Sequence, residues 1–258
     1  MQAQKRSFAT TLDSTMAKRS ILYSADVCPY AHRARVALKA SGADFEIVEI
    51  DLKNKPEWYQ LKINPASKVP ALWYDAPRDA DPSSPPAGTF ILPESSLIVD
   101  FIQSVYPELQ FKDPIKRAQS ALMAHQWEST VNSTWFKYTM SDGGKGEKLD
   151  DFLGAVRKFI PYIPDGYVES SEFGAADALI APFLTRIFEF SKRDAYPWTV
   201  ENSGQTVLDA LSAPEFEKLR AYADKLAKWE ALSSTVDWEK NEEYMKKHMG
   251  EMKARINK

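Results

Sequence analysis

The sequence contains very little cysteine, since Cys28 is the only one among 258 residues. A single thiol excludes an intramolecular disulfide and any metal site built from several cysteines, and it is typical of a protein in a reducing compartment. Three histidines are present, and their positions lack the paired spacing of a metal ligand set, so no metal site is predicted. Any thiol chemistry must depend on Cys28.

An excess of one charge and long hydrophobic runs are also missing. The net charge is -3, and the basic residues do not collect in one segment, which argues against a nucleic-acid groove or a polybasic membrane patch. The most apolar long stretch, residues 173–190, is interrupted by Asp177, Arg186 and Glu189 and would span a membrane poorly. We therefore expect no nucleic-acid or membrane partner and a cytoplasmic location.

The N-terminal segment allows two interpretations. Residues 1–19 carry four basic residues, several serines and threonines, and a single acid, Asp13. This composition predicts a disordered tail, with a mitochondrial presequence as the alternative.

Apolar spacing in the first half predicts alternating strands and helices. The predicted elements, in chain order, are a strand at 20–24, a helix at 29–40, a strand at 45–52, a short helix at 56–63, strands at 69–74 and 89–92, and a helix at 94–106. The order is β-α-β-α-β-β-α within a domain at residues 20–107. The loop at 76–88 is longer than a tight hairpin requires.

The second half shows helical spacing only. Helices are predicted at 113–138, 149–159, 173–190 and 214–229, each with an apolar stripe and a start marked by Asp, Ser or Pro. The fold class expected is an α/β domain followed by an all-helical domain at residues 113–258.

Cys28 follows a predicted strand and immediately precedes Pro29, a residue suited to the first helical position. Amide groups at a helix start favour an anion, so we expect the thiol pKa to fall from about 8.5 towards the range ~3.5 to 7.5. The tetrad Cys28-Pro29-Tyr30-Ala31 is a C-x-x-C motif with alanine in place of the second cysteine. The resolving thiol must then come from outside the protein, and in the cytosol glutathione is the abundant candidate.

A glutathione site needs partners for a peptide backbone, two carboxylates and an amine. Val69-Pro70 opens a predicted strand; if the bond is cis, the Val69 backbone can pair with the cysteinyl residue of glutathione, while a trans proline would only limit an edge strand. Glu94 and Ser95 start a predicted helix, where Ser95 can hold a carboxylate and Glu94 an ammonium group, or the two residues can serve as plain helix capping.

Three further residues complete this predicted site. Lys55 and Lys68 could each pair with the second carboxylate, or be solvated surface charges. Tyr30 adjoins the sulfur and is predicted to border both the glutathione site and the pocket of a second substrate.

Four segments together resemble cysteine-type glutathione transferases of the omega and lambda classes. The segments are 26–33 (DVCPYAHR), 51–59 (DLKNKPEWY), 64–70 (NPASKVP) and 93–96 (PESS). The resemblance implies a thioredoxin-like N-terminal domain followed by a helical domain.

The resemblance also implies roles for individual residues. Cys28 forms the mixed disulfide with glutathione, and Val69 pairs with the cysteinyl backbone. Glu94 with Ser95 holds the γ-glutamyl end, and Lys55 reaches the glycyl carboxylate. Lys68 is a further candidate for the same contact.

In the second half the resemblance rests on residues 173–177 (FGAAD), which lead into a long apolar helix. The family commonly has Ser or Thr where this chain has Gly174. Asp177 must therefore satisfy the helix start without a reciprocal side-chain bond.

Aromatic residues in the segment 125–138 allow two interpretations. Trp127, Trp135 and Tyr138 fall on one helical face, which could line a pocket for an aromatic second substrate or belong to the domain core. His32 lies four residues after Cys28, one helical turn along the axis, so it is predicted to be a surface residue without a catalytic role.

The function predicted from these features is a glutathione-dependent thiol transferase that removes glutathione from disulfides or reduces dehydroascorbate. A conjugating transferase that activates glutathione through Ser24 or Tyr23 is one alternative. A carrier of hydrophobic aromatic ligands is another. The partners expected are glutathione, a small aromatic or disulfide-type substrate and a second copy of the chain in a homodimer.

Overall fold

The structure, a computed structural model, describes residues 18–140, 146–195 and 202–256. A four-stranded mixed sheet forms its first half, with strands β1 (Lys18–Ser24), β2 (Phe45–Glu49), β3 (Ala71–Pro77) and β4 (Ile91–Pro93). The spatial order is β2-β1-β3-β4, in which β1 and β2 are parallel and the other neighbours are antiparallel. β1 begins at Lys18, inside the predicted tail, and residues 1–17 of that tail lie outside the described residues.

Helices cover one face of this sheet. Helix α1 (Pro29–Ala40) begins at the predicted proline and ends before Gly42, whose φ of +68° suits the residue that follows a helix. Helix α2 (Ser95–Val105) packs beside α1. The predicted short helix is mainly a π-helical turn at Tyr59–Ile63, on the opposite face. The predicted β-α-β-α-β-β-α order is thus confirmed.

The remaining elements in the described part of the chain are helical. They are α3 (Pro114–Gln126), α4 (Ser133–Met140), α5 (Gly146–Phe159), α6 (Ala175–Lys192), α7 (Ser203–Leu211), α8 (Glu217–Ala227), α9 (Glu230–Ser233) and α10 (Trp238–Ile256). A π-helical segment, Trp127–Asn132, joins α3 to α4 within the region predicted as one helix. The predicted fold class, a thioredoxin-like domain followed by a helical region, is confirmed.

Helix α6 connects the two halves of the molecule. It packs against α1 and α2 on one side and against α3, α7 and α8 on the other, with Ile180, Leu184 and Ile187 fully buried. One apolar core therefore runs from α1 and α2 through α6 into the helical half. The division at residues 107–113 remains a prediction; a 3₁₀ turn, Pro107–Leu109, occupies its start.

The start of α6 is capped as the sequence predicts. The buried Asp177 carboxylate accepts hydrogen bonds from the Gly174 amide (2.7 Å), from Tyr222 (2.8 Å) and from Tyr167. Burial raises the pKa of Asp177, and these three donors oppose that effect. The glycine at position 174, in place of Ser or Thr, has a steric explanation, because a Cβ atom there would lie 2.5 Å from the Phe111 ring.

The long connection between β3 and β4 folds back towards the sheet. The Tyr23 hydroxyl donates to the Pro82 carbonyl (2.6 Å), and Lys62 of the π-helical turn donates to Ser84 (3.2 Å). This loop therefore helps to cover the face of the sheet opposite α1 and α2.

Among the described residues, none of the helices is both long enough and apolar enough to cross a membrane.

Candidate active site around Cys28

The register of three neighbouring strands brings the predicted site residues to one edge of the sheet. Ala71, the first residue of β3, lies opposite Tyr23 of β1 and opposite Pro93 of β4. Cys28 follows β1 within a short turn, and Glu94 follows β4 directly. The thiol, the start of β3 and the start of α2 therefore meet at the same end of the sheet.

Cys28 occupies the N-cap position of α1 in an extended backbone conformation. Its amide donates to the Ala25 carbonyl (2.9 Å), and its carbonyl accepts from the His32 amide (3.0 Å). The partly exposed side chain faces the backbone N–H groups of Tyr30 and Ala31. The predicted placement of the sulfur at a helix N-terminus is thus confirmed.

The predicted low pKa of the Cys28 thiol is wrong in its net direction. Burial raises the pKa, because a thiolate is less well solvated among the surrounding protein atoms than in water. The amides of Ala31 and Tyr30 and the charges of Arg186 and Arg33 lower the pKa and oppose that effect only in part. The site thus holds four groups that stabilise a thiolate, against a larger desolvation cost.

The Val69–Pro70 peptide bond is cis, which is the backbone geometry that the first of the two interpretations requires; pairing of Val69 with glutathione stays a prediction. Tyr59 (2.6 Å) and the Asn64 side chain (2.7 Å) both donate to the Lys68 carbonyl and fix the chain just before this bond. Within the described chain, neither the N–H nor the C=O of Val69 bonds another backbone group.

The two candidate lysines differ in their positions. The Lys55 ammonium group donates to the Ser67 carbonyl, so it lies beside the segment that carries the cis bond. The Lys68 side chain is exposed, and only its backbone carbonyl takes part in that segment. The structure thus brings Lys55 to the predicted site through a defined contact.

Glu94 and Ser95 face different environments. Glu94 is exposed and has a φ of +75°, an uncommon conformation for a residue with a side chain. Ser95 is buried, and its hydroxyl accepts from Arg33 Nη1 (3.4 Å). The structure therefore leaves the Glu94 side chain exposed and turns the Ser95 hydroxyl inward, towards Arg33.

Arg33 is a central residue of this region that the sequence did not reveal. Its buried guanidinium donates to the Leu179 carbonyl of α6 (2.8 Å) and pairs with Glu128 of the π-helical segment. It also lies over the ring of Phe183 (4.3 Å to the centroid). Arg33 therefore ties the first helix after the thiol to the helical half.

An aromatic cluster, formed by Tyr30, Phe136 and Phe183, lies beside Cys28. The Tyr30 ring stacks on Phe136 (6.1 Å between centroids, 2° between planes) and meets Phe183 edge-on (5.0 Å). Tyr30 is 37% exposed, so this cluster presents an aromatic surface next to the sulfur. Two of its three rings come from the helical half, and the role of Tyr30 at a substrate pocket stays a prediction.

The predicted pocket residues Trp127, Trp135 and Tyr138 belong to the core instead. Their exposed fractions are 0%, 5% and 1%. Phe152 of α5 packs on Trp135 (4.8 Å) and on Tyr138 (6.4 Å), and Phe159 packs on Trp127. The pocket prediction for these three residues is wrong, because α5 covers the helical face on which they lie.

Ser24 and Tyr23 cannot serve as the activating hydroxyl of a conjugating enzyme. Both side chains are fully buried. The Ser24 hydroxyl accepts from Arg35 Nε (2.7 Å), and the Tyr23 hydroxyl donates to the Pro82 carbonyl. Burial also raises the pKa of Tyr23 far above its ordinary value.

The prediction that His32 is a surface residue is wrong, since only 1% of it is exposed. Helix α1 is covered by α6 and α9, so its second turn faces protein. His32 Nδ1 lies 2.9 Å from Arg186 Nη1 and Nε2 lies 3.0 Å from the Thr235 hydroxyl. Arginine can only donate, so Nδ1 accepts and Nε2 carries the hydrogen. Burial, followed by the charges of Arg186 and Arg35, lowers the pKa of His32 well below 6.5.

The C-terminal helix α10 also reaches the turn before Cys28. Asn241 Oδ1 accepts from Arg186 (3.0 Å), and Lys240 pairs with Asp26 (3.2 Å). Further along, Lys53 and Glu251 form an exposed ion pair (2.7 Å). Helix α10 was not predicted from the sequence, because its many charged residues obscure the apolar spacing. Its run of helix-forming Glu, Lys and Met residues was the signal that could have revealed it.

The described ranges hold no cluster of three or more His, Cys, Asp or Glu residues that could bind a metal ion.

Comparisons with known proteins agree with this geometry. A family model, the N-terminal domain of glutathione S-transferase, matches residues 27–105. Pyrimidodiazepine synthase of Drosophila melanogaster is 30% identical over 168 residues, 64% of each chain. Glutathione S-transferase omega-2 of Mus musculus is 34% identical over 104 residues, which are 40% of this chain and 37% of the mouse protein. The chain thus spans less than two thirds of the length of these two curated relatives.

A solved structure resembles nearly the whole chain. Glutathione transferase Omega 1C from Trametes versicolor is 34% identical, and the superposition has a TM-score of 0.80. It covers 91% of this chain and 98% of that protein. The chain belongs to the glutathione transferase family, among its cysteine-type, omega-like members.

Proposed function

We propose that this protein is a glutathione-dependent thiol transferase that passes through a mixed disulfide between Cys28 and glutathione. The observation that carries the proposal is a single, partly exposed thiol at the start of α1, with Ala31 where a resolving cysteine would stand. No second thiol exists in the chain, so each turnover must use a thiol from solution.

The reaction takes place in two exchanges. The Cys28 thiolate attacks the glutathionyl sulfur of a substrate disulfide, the S–S bond breaks, and the substrate leaves as a thiolate that takes a proton from water. A second glutathione thiolate then attacks the Cys28 mixed disulfide, which releases oxidised glutathione and restores the Cys28 thiolate. The amides of Tyr30 and Ala31 stabilise the Cys28 sulfur whenever it carries the negative charge.

Three groups are suited to hold the glutathionyl part during both exchanges. The Val69 backbone, exposed beside the cis bond, can pair with the cysteinyl residue. Glu94 is exposed at the start of α2 and suits the γ-glutamyl ammonium group. Lys55, beside the same segment, suits the glycyl carboxylate after exchanging its bond to Ser67. Glutathione is therefore a substrate held at this edge of the sheet.

The substrate class follows from the same chemistry. Disulfides between glutathione and a small or aromatic thiol fit the aromatic surface of Tyr30 and Phe136 beside the sulfur, which the buried Phe183 ring supports from behind. Dehydroascorbate reduction is a further candidate, because two glutathione molecules supply its two electrons and leave as oxidised glutathione through the same mixed disulfide. We also propose a cytosolic location and a homodimer, for which exposed Leu97 of α2 and Leu122 of α3 provide apolar surface.

The decisive experiment compares wild-type protein with Cys28→Ser. Both are incubated with oxidised glutathione for intact-mass analysis, and both are assayed for glutathione release from a mixed disulfide. The wild type should carry one glutathione adduct and turn over, whereas the serine variant should do neither. A serine variant with full thiol transferase activity would contradict the proposal.

Ala31→Cys provides a second variant, in which an internal resolving thiol is restored. We expect Cys28 and the new cysteine to form an intramolecular disulfide, so that the glutathione adduct in the mass spectrum is largely lost. An unchanged adduct would show that residue 31 does not determine the monothiol cycle.

Neither alternative function gains support from the site. Conjugation through Ser24 or Tyr23 lacks an accessible hydroxyl. The carrier hypothesis loses the tryptophans that motivated it, since they are buried in the helical core.

A further inference from the structure

Arg186 of α6 reaches the turn that carries Cys28. Its side chain is 4% exposed. Nη1 donates to the Pro182 carbonyl (2.8 Å) and to His32 Nδ1 (2.9 Å), while Nη2 donates to Asn241 Oδ1 (3.0 Å) and lies 3.5 Å from the Asp26 carbonyl. One guanidinium group therefore joins α1, the turn before it, α6 and α10.

These contacts lie on both sides of the thiol in the sequence. Asp26 precedes Cys28 by two residues, and His32 follows it by one turn of α1. A planar guanidinium with several fixed donors can hold both segments at a set distance, which a flexible ammonium group does less well. Arg186 is thus one of the side chains that fix the position of the sulfur relative to the helical half, and it contacts the chain on both sides of Cys28.

Arg186 also brings a positive charge into the protein interior, beside the backbone of the turn that leads to Cys28. Because the charge is buried, water screens it little, and its attraction for a thiolate persists at physiological salt. Arg186 acts more strongly than Arg33 in lowering the pKa of Cys28 against the effect of burial.

We propose that Arg186 is a positioning residue for Cys28, which fixes the turn from Asp26 to α1 and supplies a buried positive charge to the Cys28 thiolate. The role of that thiolate in turnover rests on the proposed function, but its reactivity can be measured independently. Since Arg186 comes from the helical half, the reactivity of the thiol depends on the contact between the two halves.

Several titratable or charged groups face the sulfur and could contribute to its pH dependence. They are Tyr30 and Arg33 of α1, Tyr59 of the π-helical turn, Arg186 of α6 and Tyr244 of α10. Only the two arginines carry charge near neutral pH, because burial raises the pKa of each tyrosine. A change in the pH profile of Cys28 near neutrality therefore reports on Arg33 or Arg186.

The test measures the alkylation of Cys28 by iodoacetamide as a function of pH, with intact-mass detection. Arg186→Met removes the charge and the hydrogen bonds, and Arg186→Lys keeps the charge alone. Arg193→Met is the matched control, since Arg193 closes the same helix and pairs with Glu242 of α10 (3.1 Å) without contacting the turn.

Arg186→Met should raise the apparent pKa of Cys28, so that alkylation below the pKa becomes about tenfold slower. Arg186→Lys should recover most of that loss, and Arg193→Met should match the wild type. A folded Arg186→Met protein with the wild-type pH profile would overturn the proposal, as would equal shifts in Arg186→Met and Arg193→Met.

If Arg186→Met does not fold, Asn241→Asp decides instead. This variant places a carboxylate next to the Arg186 guanidinium group, which would neutralise part of its charge and should raise the apparent pKa of Cys28 as Arg186→Met does. An unchanged pH profile of Cys28 alkylation would overturn the proposal. Alkylation requires no glutathione, so failure of this inference is separate from failure of the proposed function, which the thiol transferase assay of the wild type reveals.

Discussion

Two buried polar side chains in the first turns of α1, His32 and Arg33, form hydrogen bonds with groups from the helical half. His32 bonds Thr235 and Arg186, and Arg33 bonds the Leu179 carbonyl and Glu128. Such groups are costly to bury unless they are satisfied, so their partners fix how α1 lies against α6 and α9. The helix that carries the thiol is thereby oriented by single polar contacts.

His32 makes the stability of the protein depend on pH. Its folded-state pKa is lowered, so near pH 6 the unfolded chain binds a proton that the folded protein excludes. The free energy of unfolding should therefore fall as pH decreases below about 6.5, by up to ~1.4 kcal/mol per pH unit from this residue. Urea unfolding of wild type and His32→Gln between pH 5 and 7 measures this component.

In the His32→Gln protein, the free energy of unfolding should fall less steeply as the pH decreases, because the contribution of His32 is missing. His125→Gln serves as the control, because His125 is exposed on α3 and should leave the slope unchanged. Equal slopes in wild type and His32→Gln would refute the assignment.

At the scale of elements, the start of α6 has a glycine at its N-cap position and the bulky Phe111 ring beside it. Gly174 caps the helix without a hydroxyl, and the Phe111 ring occupies the space that a Cβ atom would need. Asp177 compensates through its bonds to the Gly174 amide and two tyrosines. The cap of α6 and the position of the Phe111 ring therefore depend on each other, because a side chain at residue 174 would displace the ring.

Gly174→Thr tests this arrangement. A threonine cap in place of glycine would add only about 0.3 kcal/mol, whereas overlap with Phe111 costs ~1–3 kcal/mol, so we expect a net loss of stability. In a double-mutant cycle with Phe111→Ala, the double variant should be more stable than the sum of the single changes predicts. Denaturant unfolding measures all four proteins.

Gly154→Ala is the control for adding a Cβ atom to a helix. Gly154 lies inside α5 with open space around its Cα atom, so alanine should stabilise the protein by about 0.5–1 kcal/mol. A stabilising Gly174→Thr would show that the Phe111 ring moves aside freely.

The strands and helices that local patterns specify were predictable from the sequence. The apolar run before Cys28 and the proline after it suffice to place the thiol at the start of α1, and Ala31 suffices to exclude an internal resolving thiol. The spacing of apolar residues within a helix does not show which other elements will cover each of its faces. Trp135 and Tyr138 are covered by α5, and His32 by α6 and α9, through contacts between residues distant in sequence.

The same limit explains the pKa of Cys28. The favourable helix start is a local feature that the sequence specifies, whereas the desolvation that outweighs it depends on how the folded chain surrounds the sulfur, including the contacts of α6 and α10 with the preceding turn. Arg186 and Asn241 lie far from Cys28 in the chain, and neither belongs to a motif that would have drawn attention to it.

At the scale of the whole molecule, the two halves share one core and an ion pair whose arginine is buried and whose glutamate is partly exposed. Arg33 links α1 to the π-helical segment through Glu128 and to α6 through Leu179. The planar Arg33 guanidinium group also stacks over the Phe183 ring, so it contributes both an ionic and an aromatic contact. We therefore expect the sheet half and the helical half to unfold together.

Arg33→Ala should destabilise the protein by about 3 kcal/mol, because it removes the partner of several buried groups at once. Arg157→Ala is the matched control: Arg157 also pairs with a glutamate, Glu215 (2.8 Å), but both side chains are half exposed. An exposed pair contributes at most about 1 kcal/mol. Thermal unfolding followed by circular dichroism distinguishes the two, and similar losses would contradict a special role for Arg33.

Ala31, at the fourth position of the tetrad, also sets how Cys28 responds to the glutathione pool. A protein with two neighbouring thiols exchanges one oxidised glutathione for two reduced molecules, so its oxidised fraction depends on the square of the reduced concentration. A lone thiol exchanges one for one. The occupancy of Cys28 would then follow the simple ratio of oxidised to reduced glutathione, and dilution of the whole pool would leave it unchanged.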